Sequence, residues 1–72
     1  MTANNIEIGK TYFIKNLKTS DLSLQLMEMG FLPGKKITML HKAPLKDPLG
    51  FRLENSFFAL RIKEAELIEV SE

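Results

Sequence analysis

Leu26-Met27-Glu28-Met29-Gly30-Phe31-Leu32-Pro33-Gly34 decides how this chain folds. Apolar side chains recur at helical spacing before it and alternate as in a strand after it, so the stretch must stop one element and start the other. Gly30 sits where a helix terminates, because glycine enters the left-handed region of a C-terminal cap without steric cost. Phe31 can then fold back over the last turn. Pro33 fixes φ, and Gly34 permits φ > 0 at the third position of a type II turn. The helix is stopped and the chain reversed within a few residues.

Leu17-Lys18-Thr19-Ser20-Asp21, just upstream, is a loop ending in side chains whose oxygens suit the free N–H groups of a first helical turn. A short helix is expected to begin near Leu22. Leu22, Leu26 and Met29 fall on one stripe at about 100° per residue, and that stripe faces the core. Leu24 and Met27 lie on roughly the opposite side, with Ser23, Gln25 and Glu28 between the two stripes. A helix that is apolar on two sides is a first sign of a partner.

Further out, Thr11 to Asn16 is a β-branched and aromatic run that reads as the first strand, preceded by a turn at Ile8-Gly9, while residues 1–5 are polar and expected to fray. Lys36 to Ala43 alternates as a second strand, with Ile37, Met39, His41 and Ala43 on one face and Thr38, Leu40 and Lys42 on the other. A loop with two prolines and a glycine, Pro44 to Gly50, follows. Phe51-Arg52-Leu53-Glu54 and Phe57 to Arg61 form a hairpin around Asn55-Ser56, where Asn tolerates the positive φ of a tight turn. Lys63-Glu64-Ala65 is one helical turn, and Glu66 to Val70 is the last strand with Ile68 and Val70 inward.

The chain of 72 residues is short enough for one domain spanning 1–72, and a domain of this size buries only about 60% of the surface its unfolded chain exposes. With no cysteine, neither disulfides nor thiolate metal sites hold it together, so the apolar core must. An apolar content of 44% and a charged content of 26% are those of a globular chain. Short antiparallel strands in so small a domain are best curled on themselves, since a flat sheet leaves edges and an apolar face exposed. The fold expected is mainly β: a small, partly open SH3-like barrel of about five strands, with one short helix between the first two and a helical turn before the last. No window approaches the roughly 18 apolar residues of a membrane span, and no secretory leader pattern begins the chain, so a cytoplasmic protein without membrane insertion is expected.

Leu26-x-x-Met29-Gly30-Phe31-x-Pro33-Gly34, then a strand, then Ala43-Pro44, Asp47-Pro48 and Ala59-Leu60-Arg61-x-x-x-Ala65-x-x-Ile68-x-Val70, resembles the FeoA family from about Gly9 to Val70. Members are small cytosolic accessory proteins of bacterial ferrous iron uptake. The resemblance implies the barrel and inserted helix described above, and a role assisting FeoB, a polytopic Fe(II) transporter with a cytosolic GTP-binding domain. Leu26, Met29, Gly30, Phe31, Pro33 and Gly34 match the family's helix-and-turn motif, Asp47-Pro48 is a further landmark, and Ala59, Leu60, Arg61 and Ala65 match its C-terminal motif. Where such chains often carry glycine in the second hairpin turn, this one has Glu54-Asn55-Ser56.

The residues offer little for other functions. No nucleophile elbow or phosphate-cradling glycine loop is present, and no enzyme is expected. His41 and Asp47 make two metal ligands at most where a stable site wants three or four, so neither metal nor cofactor is expected. A net charge of +1 and scattered aromatics do not form a nucleic-acid platform. Adjacent Phe57 and Phe58 are expected to serve the two sides of the barrel wall. Lys35, Lys36, Lys42 and Lys46 form a basic middle and Glu64, Glu66, Glu69 and Glu72 an acidic end, either solvated or paired with one another.

Protein docking suits what is left. Leu24, Met27 and Phe31, extended by Lys35 and Lys36, are the expected partner surface, docking on a cytosolic part of the transporter. A metal-responsive, Fe(II)-sensing regulatory domain is the alternative. Arg52 and Arg61 are candidates for stimulating GTP turnover by residue type alone. Self-association is left open.

Overall fold

The computed structural model describes residues 1–45 and 47–72. Lys46, the last member of the basic stretch, lies outside the described residues. Among the described residues five strands, β1 (Thr11–Leu17), β2 (Lys36–Lys42), β3 (Leu49–Leu53), β4 (Ser56–Leu60) and β5 (Ile68–Ser71), form one antiparallel sheet in the order β4-β3-β2-β1-β5. The helix α1 (Ser23–Glu28) lies between β1 and β2, and the short α2 (Ile62–Ala65) precedes β5. β4 and β5 are the two ends of the pairing order, yet only Arg61 to Leu67 join them. A link that short, with a helical turn in it, suits a sheet curled into a partly open barrel of SH3-like type.

The core is the inward face of that curl: Ile37 and Met39 of β2, Leu49 and Phe51 of β3, Leu60 of β4 and Ile68 of β5 are almost fully buried, joined by Leu26 of α1 and by Phe31. Strand alternation produces this face, and two bulges reset it. The β1–β5 register slips between Ile14 and Asn16, so Tyr12, Ile14 and then Leu17 turn inward. The β2–β3 register slips between Met39 and His41. The extra residue inverts the parity, so His41 pairs with Gly50 and leaves the face it would share with Ile37 and Met39 under strict alternation.

The hairpin turn also departs from expectation. Leu53 pairs with Ser56, leaving Glu54 and Asn55 as the loop, and the positive φ of 53° falls on Glu54 rather than Asn55. Phe58 packs against the core while Phe57 stands out at 70% exposure, so the two do serve opposite sides of the wall.

The N-terminal residues are packed rather than frayed. Ala3–Asn5 form a 3-10 turn, Ala3 is buried, Thr2 bridges Glu69 of β5, and the Val70 N–H donates to the Met1 carbonyl at 2.9 Å. Backbone pairing to β5 supplies what side-chain polarity concealed. Lys10 binds Glu72 at 2.7 Å, and that carboxylate holds the ammonium's pKa above its ordinary value. Among the described residues this is the one ion pair, so Lys35, Lys36 and Lys42 of the basic middle do not pair with the acidic end.

Candidate functional site

The backbone around Gly30 places every side chain of the expected docking surface. At φ +110°, Gly30 donates its N–H to the Met27 carbonyl at 3.0 Å, and Phe31 donates to the Leu26 carbonyl at 3.0 Å. This pair of bonds is a Schellman motif, whose geometry turns the residue after the glycine toward the side chain at the position of Leu26. Phe31 is accordingly buried completely, its ring 5.1 Å from that of Phe58 and tilted by 59°. This corrects the expected surface: Phe31 follows Leu26 into the core and does not stand beside Leu24 and Met27. Leu53 lies close enough to Gly30 that a Cβ there would sit 3.4 Å from its Cδ2. The helix cap is thus seated on the β3–β4 hairpin.

Pro33 and Gly34 occupy the middle of a turn closed by the Lys35 N–H donating to the Leu32 carbonyl at 3.1 Å, with Gly34 at φ +90°. Ile14 binds across this turn in both directions, accepting from Gly34 at 2.8 Å and donating to Lys35 at 2.9 Å. The turn thereby extends the β1–β2 ladder beyond the Phe13–Lys36 pair. At the other end of α1, Ser20 Oγ accepts from the Leu22 N–H at 3.2 Å, while Ser23, buried, donates its hydroxyl to the Lys18 carbonyl. Ser23 carries no sequence signal that separates it from a solvent-facing serine.

The outer face of α1 is as the periodicity implies: Leu24 is 65% exposed and Met27 37%. Leu32, 39% exposed in the following turn, is the apolar residue that stands outward where Phe31 was expected. Lys35 is exposed in that turn. Lys36 belongs to the outer face of the sheet, where it lines an open polar groove of about 510 Å³ with Thr11, Thr38, Arg52, Glu54 and Asn55. The expected surface therefore divides into an apolar part on the helix and a basic part that turns onto the sheet.

Asp47 does not face a metal partner. Its Oδ1 accepts from the Ile62 N–H at 3.1 Å and caps α2, while Glu64 Oε1 accepts from the Arg61 N–H at 2.8 Å. Asp47 and Arg61 are thus drawn to one helix terminus, with Ala65 buried beneath it. The His41 ring lies over Gly50 on the outer sheet face. Among the described residues no three His, Cys, Asp or Glu side chains come together as metal ligands, and no helix is long and apolar enough to cross a membrane.

The whole chain, residues 1–72, matches the FeoA domain family. A stretch of 46 residues, 64% of this chain, is 44% identical to a Fe(2+) transport protein A/Fe(2+) transporter FeoB fusion protein from Porphyromonas gingivalis, of which it spans 6%. Over 72 residues, 99% of this chain and 97% of the relative, it is 31% identical to a Campylobacter jejuni protein provisionally called Fe(2+) transport protein A. Its fold is similar to the solution structure of iron(II) transport protein A from Clostridium thermocellum, with a TM-score of 0.92 and 39% identity over 99% of this chain and 44% of that one.

Proposed function

This chain belongs to the FeoA family, which links it to bacterial ferrous-iron uptake, and from that premise we propose that it is an accessory protein docking on the cytosolic part of a FeoB-type transporter to modulate its activity. The observation that carries this is the fused relative, in which a segment like this one is covalently part of a protein that also contains the transporter. Fusion raises the effective concentration of two parts that work together. In this chain the outer face of α1 supports the proposal, because Leu24 and Met27 are exposed on a helix whose other side is anchored by Leu26 and Phe31. An adaptable Met beside a Leu on a rigid element suits a docking contact.

Co-purification of the full chain with a full-length FeoB-type transporter from the same cell tests it. The two are expected to co-elute, and the Leu24→Asp/Met27→Asp variant to bind at least about tenfold more weakly while staying folded. A folded double variant that binds and supports iron uptake like the parent would sink the helix as the docking face. Failure of the parent chain to bind would sink the partnership itself.

A further inference from the structure

β4 is an end strand of the sheet, with β3 on one flank and, among the described residues, no strand on the other. Its two-residue turn makes Leu53 and Ser56 a hydrogen-bonded pair, so by alternation Phe58 and Leu60 also direct their backbone groups toward β3. Phe57 and Ala59 direct theirs outward. Among the described residues neither makes a backbone hydrogen bond to a turn or loop. Natural edge strands are commonly guarded by a lysine, a proline, a bulge or a covering segment. Ser56-Phe57-Phe58-Ala59-Leu60 has no charge and no proline, and its ladder with β3 runs without a register shift. The β5 edge differs, because Met1 and Thr2 lie along it.

The outer face beside β4 fits the residue that projects from it. Ala59 neighbours Gly50 on β3, and the His41 ring of β2 lies over Gly50, so Ala59 is the small side chain beside the edge and the imidazole closes the space behind it. A shallow apolar groove of about 310 Å³ runs here, lined on the outer face by Leu40, His41, Ala59 and Phe57 itself. Phe57, two residues from Ala59 on the same face, is the large exposed counterpart.

We propose that β4 pairs antiparallel with β4 of a second copy of this chain, about a two-fold axis at Phe58 that sets each Phe57 opposite the partner's Ala59. In this register the residues with outward amides meet each other and form four backbone bonds. Each Phe57 ring then lies across the partner's Ala59 and against the imidazole of the partner's His41 that covers Gly50, in the apolar groove. A shift by two residues sets Phe57 against Phe57 or Ala59 against Ala59 and loses the large-to-small match. A shift by one sets outward Phe57 against core-facing Phe58, which the pleat forbids. Glu54 precedes the strand and Arg61 follows it, so antiparallel copies bring the acidic end of one toward the basic end of the other.

The test uses the chain alone, so its outcome is independent of any transporter. Sedimentation of the full chain from micromolar to millimolar concentration should show the mass rising from 8.2 kDa toward twice that value. Phe57→Lys, at an exposed position, should keep the amide spectrum of the fold and remain a single chain throughout. A mixed sample of isotope-labelled and unlabelled chains should give an intermolecular contact between the Phe58 α-protons, which approach closely in a non-hydrogen-bonded pair. A parent chain that stays monomeric, a dimer indifferent to Phe57→Lys, or a dimer lacking the Phe58 contact would each overturn the proposal.

Discussion

The imidazole of His41 lies against Gly50 on the outer face of the sheet, where a Cβ at position 50 would overlap Cε1 and come within 2.6 Å of Nδ1. The pair is a product of the β2 bulge, since without the extra residue His41 would point inward. Gly50→Ala is therefore expected to push the ring off its rotamer at a cost of about 0.5–1.5 kcal/mol. The His41 ring resonances should move, and adding His41→Ala should remove the penalty. Urea unfolding of both single variants and the double variant measures this; additive effects would show that the two residues do not interact.

Phe31 and Leu24 are separated by seven positions and by nearly the full range of exposure. Phe31→Ala is expected to cost about 3–5 kcal/mol, enough to unfold much of so small a domain, because it empties the space between Leu26 and Phe58. Leu24→Ala should change stability by less than about 0.5 kcal/mol. Thermal unfolding followed by circular dichroism separates the two. Equal effects would place Phe31 back on the surface.

Gly30 holds φ +110° with the Leu53 methyl at contact distance from any added Cβ. Gly30→Ala should destabilise by about 1–3 kcal/mol through backbone strain, whatever room the side chain finds. The amides of Gly30 and Phe31 should exchange faster with solvent as their bonds to Met27 and Leu26 weaken. Unchanged exchange at both would mean that the cap tolerates a side chain.

Asp47 reaches across the loop to the first N–H of α2, a contact joining residues 15 apart. Asp47→Ala is expected to cost about 0.5–2 kcal/mol, as the loss of a helix cap does, while Asp47→Asn should retain most of the contact. Denaturant titration of the two variants tests this. Equal losses would mean that the carboxylate charge, and not the accepting oxygen, matters.

What the sequence disclosed follows the range of the physics involved. The helix stop at Gly30 and the turn at Pro33-Gly34 depend on dihedral preferences within a few residues, and both stand where expected. Leu24 and Met27 stand outward because helical periodicity is also local. Phe31 was misplaced, since its direction comes from a hydrogen bond back to Leu26 rather than from its place in the helical wheel. His41 was misplaced by a bulge that appears only when β2 meets β3. Thr2 and Ala3 belong to a polar stretch expected to fray until Thr2 bridges β5, more than sixty residues later, and Ala3 is buried. Asp47 was legible as a turn residue, but its bond to Ile62 needs the loop and α2 already in place.

The segment Met1 to Asn5, laid against β5, has a consequence for how the barrel assembles. β1 and β5 join Phe13 to Ser71, whereas the β3–β4 hairpin closes over two residues. Bringing distant strands together costs more chain entropy than closing a hairpin, so the seam at β5 is expected to form late and to open early. Both ends of the chain lie on that seam, and each is held by the other. Removing residues 1–5 should therefore raise amide exchange along β5 well before it disturbs β3 and β4. The first residues act less as a tail than as a latch, closing a strand that exists only once the rest of the chain has folded.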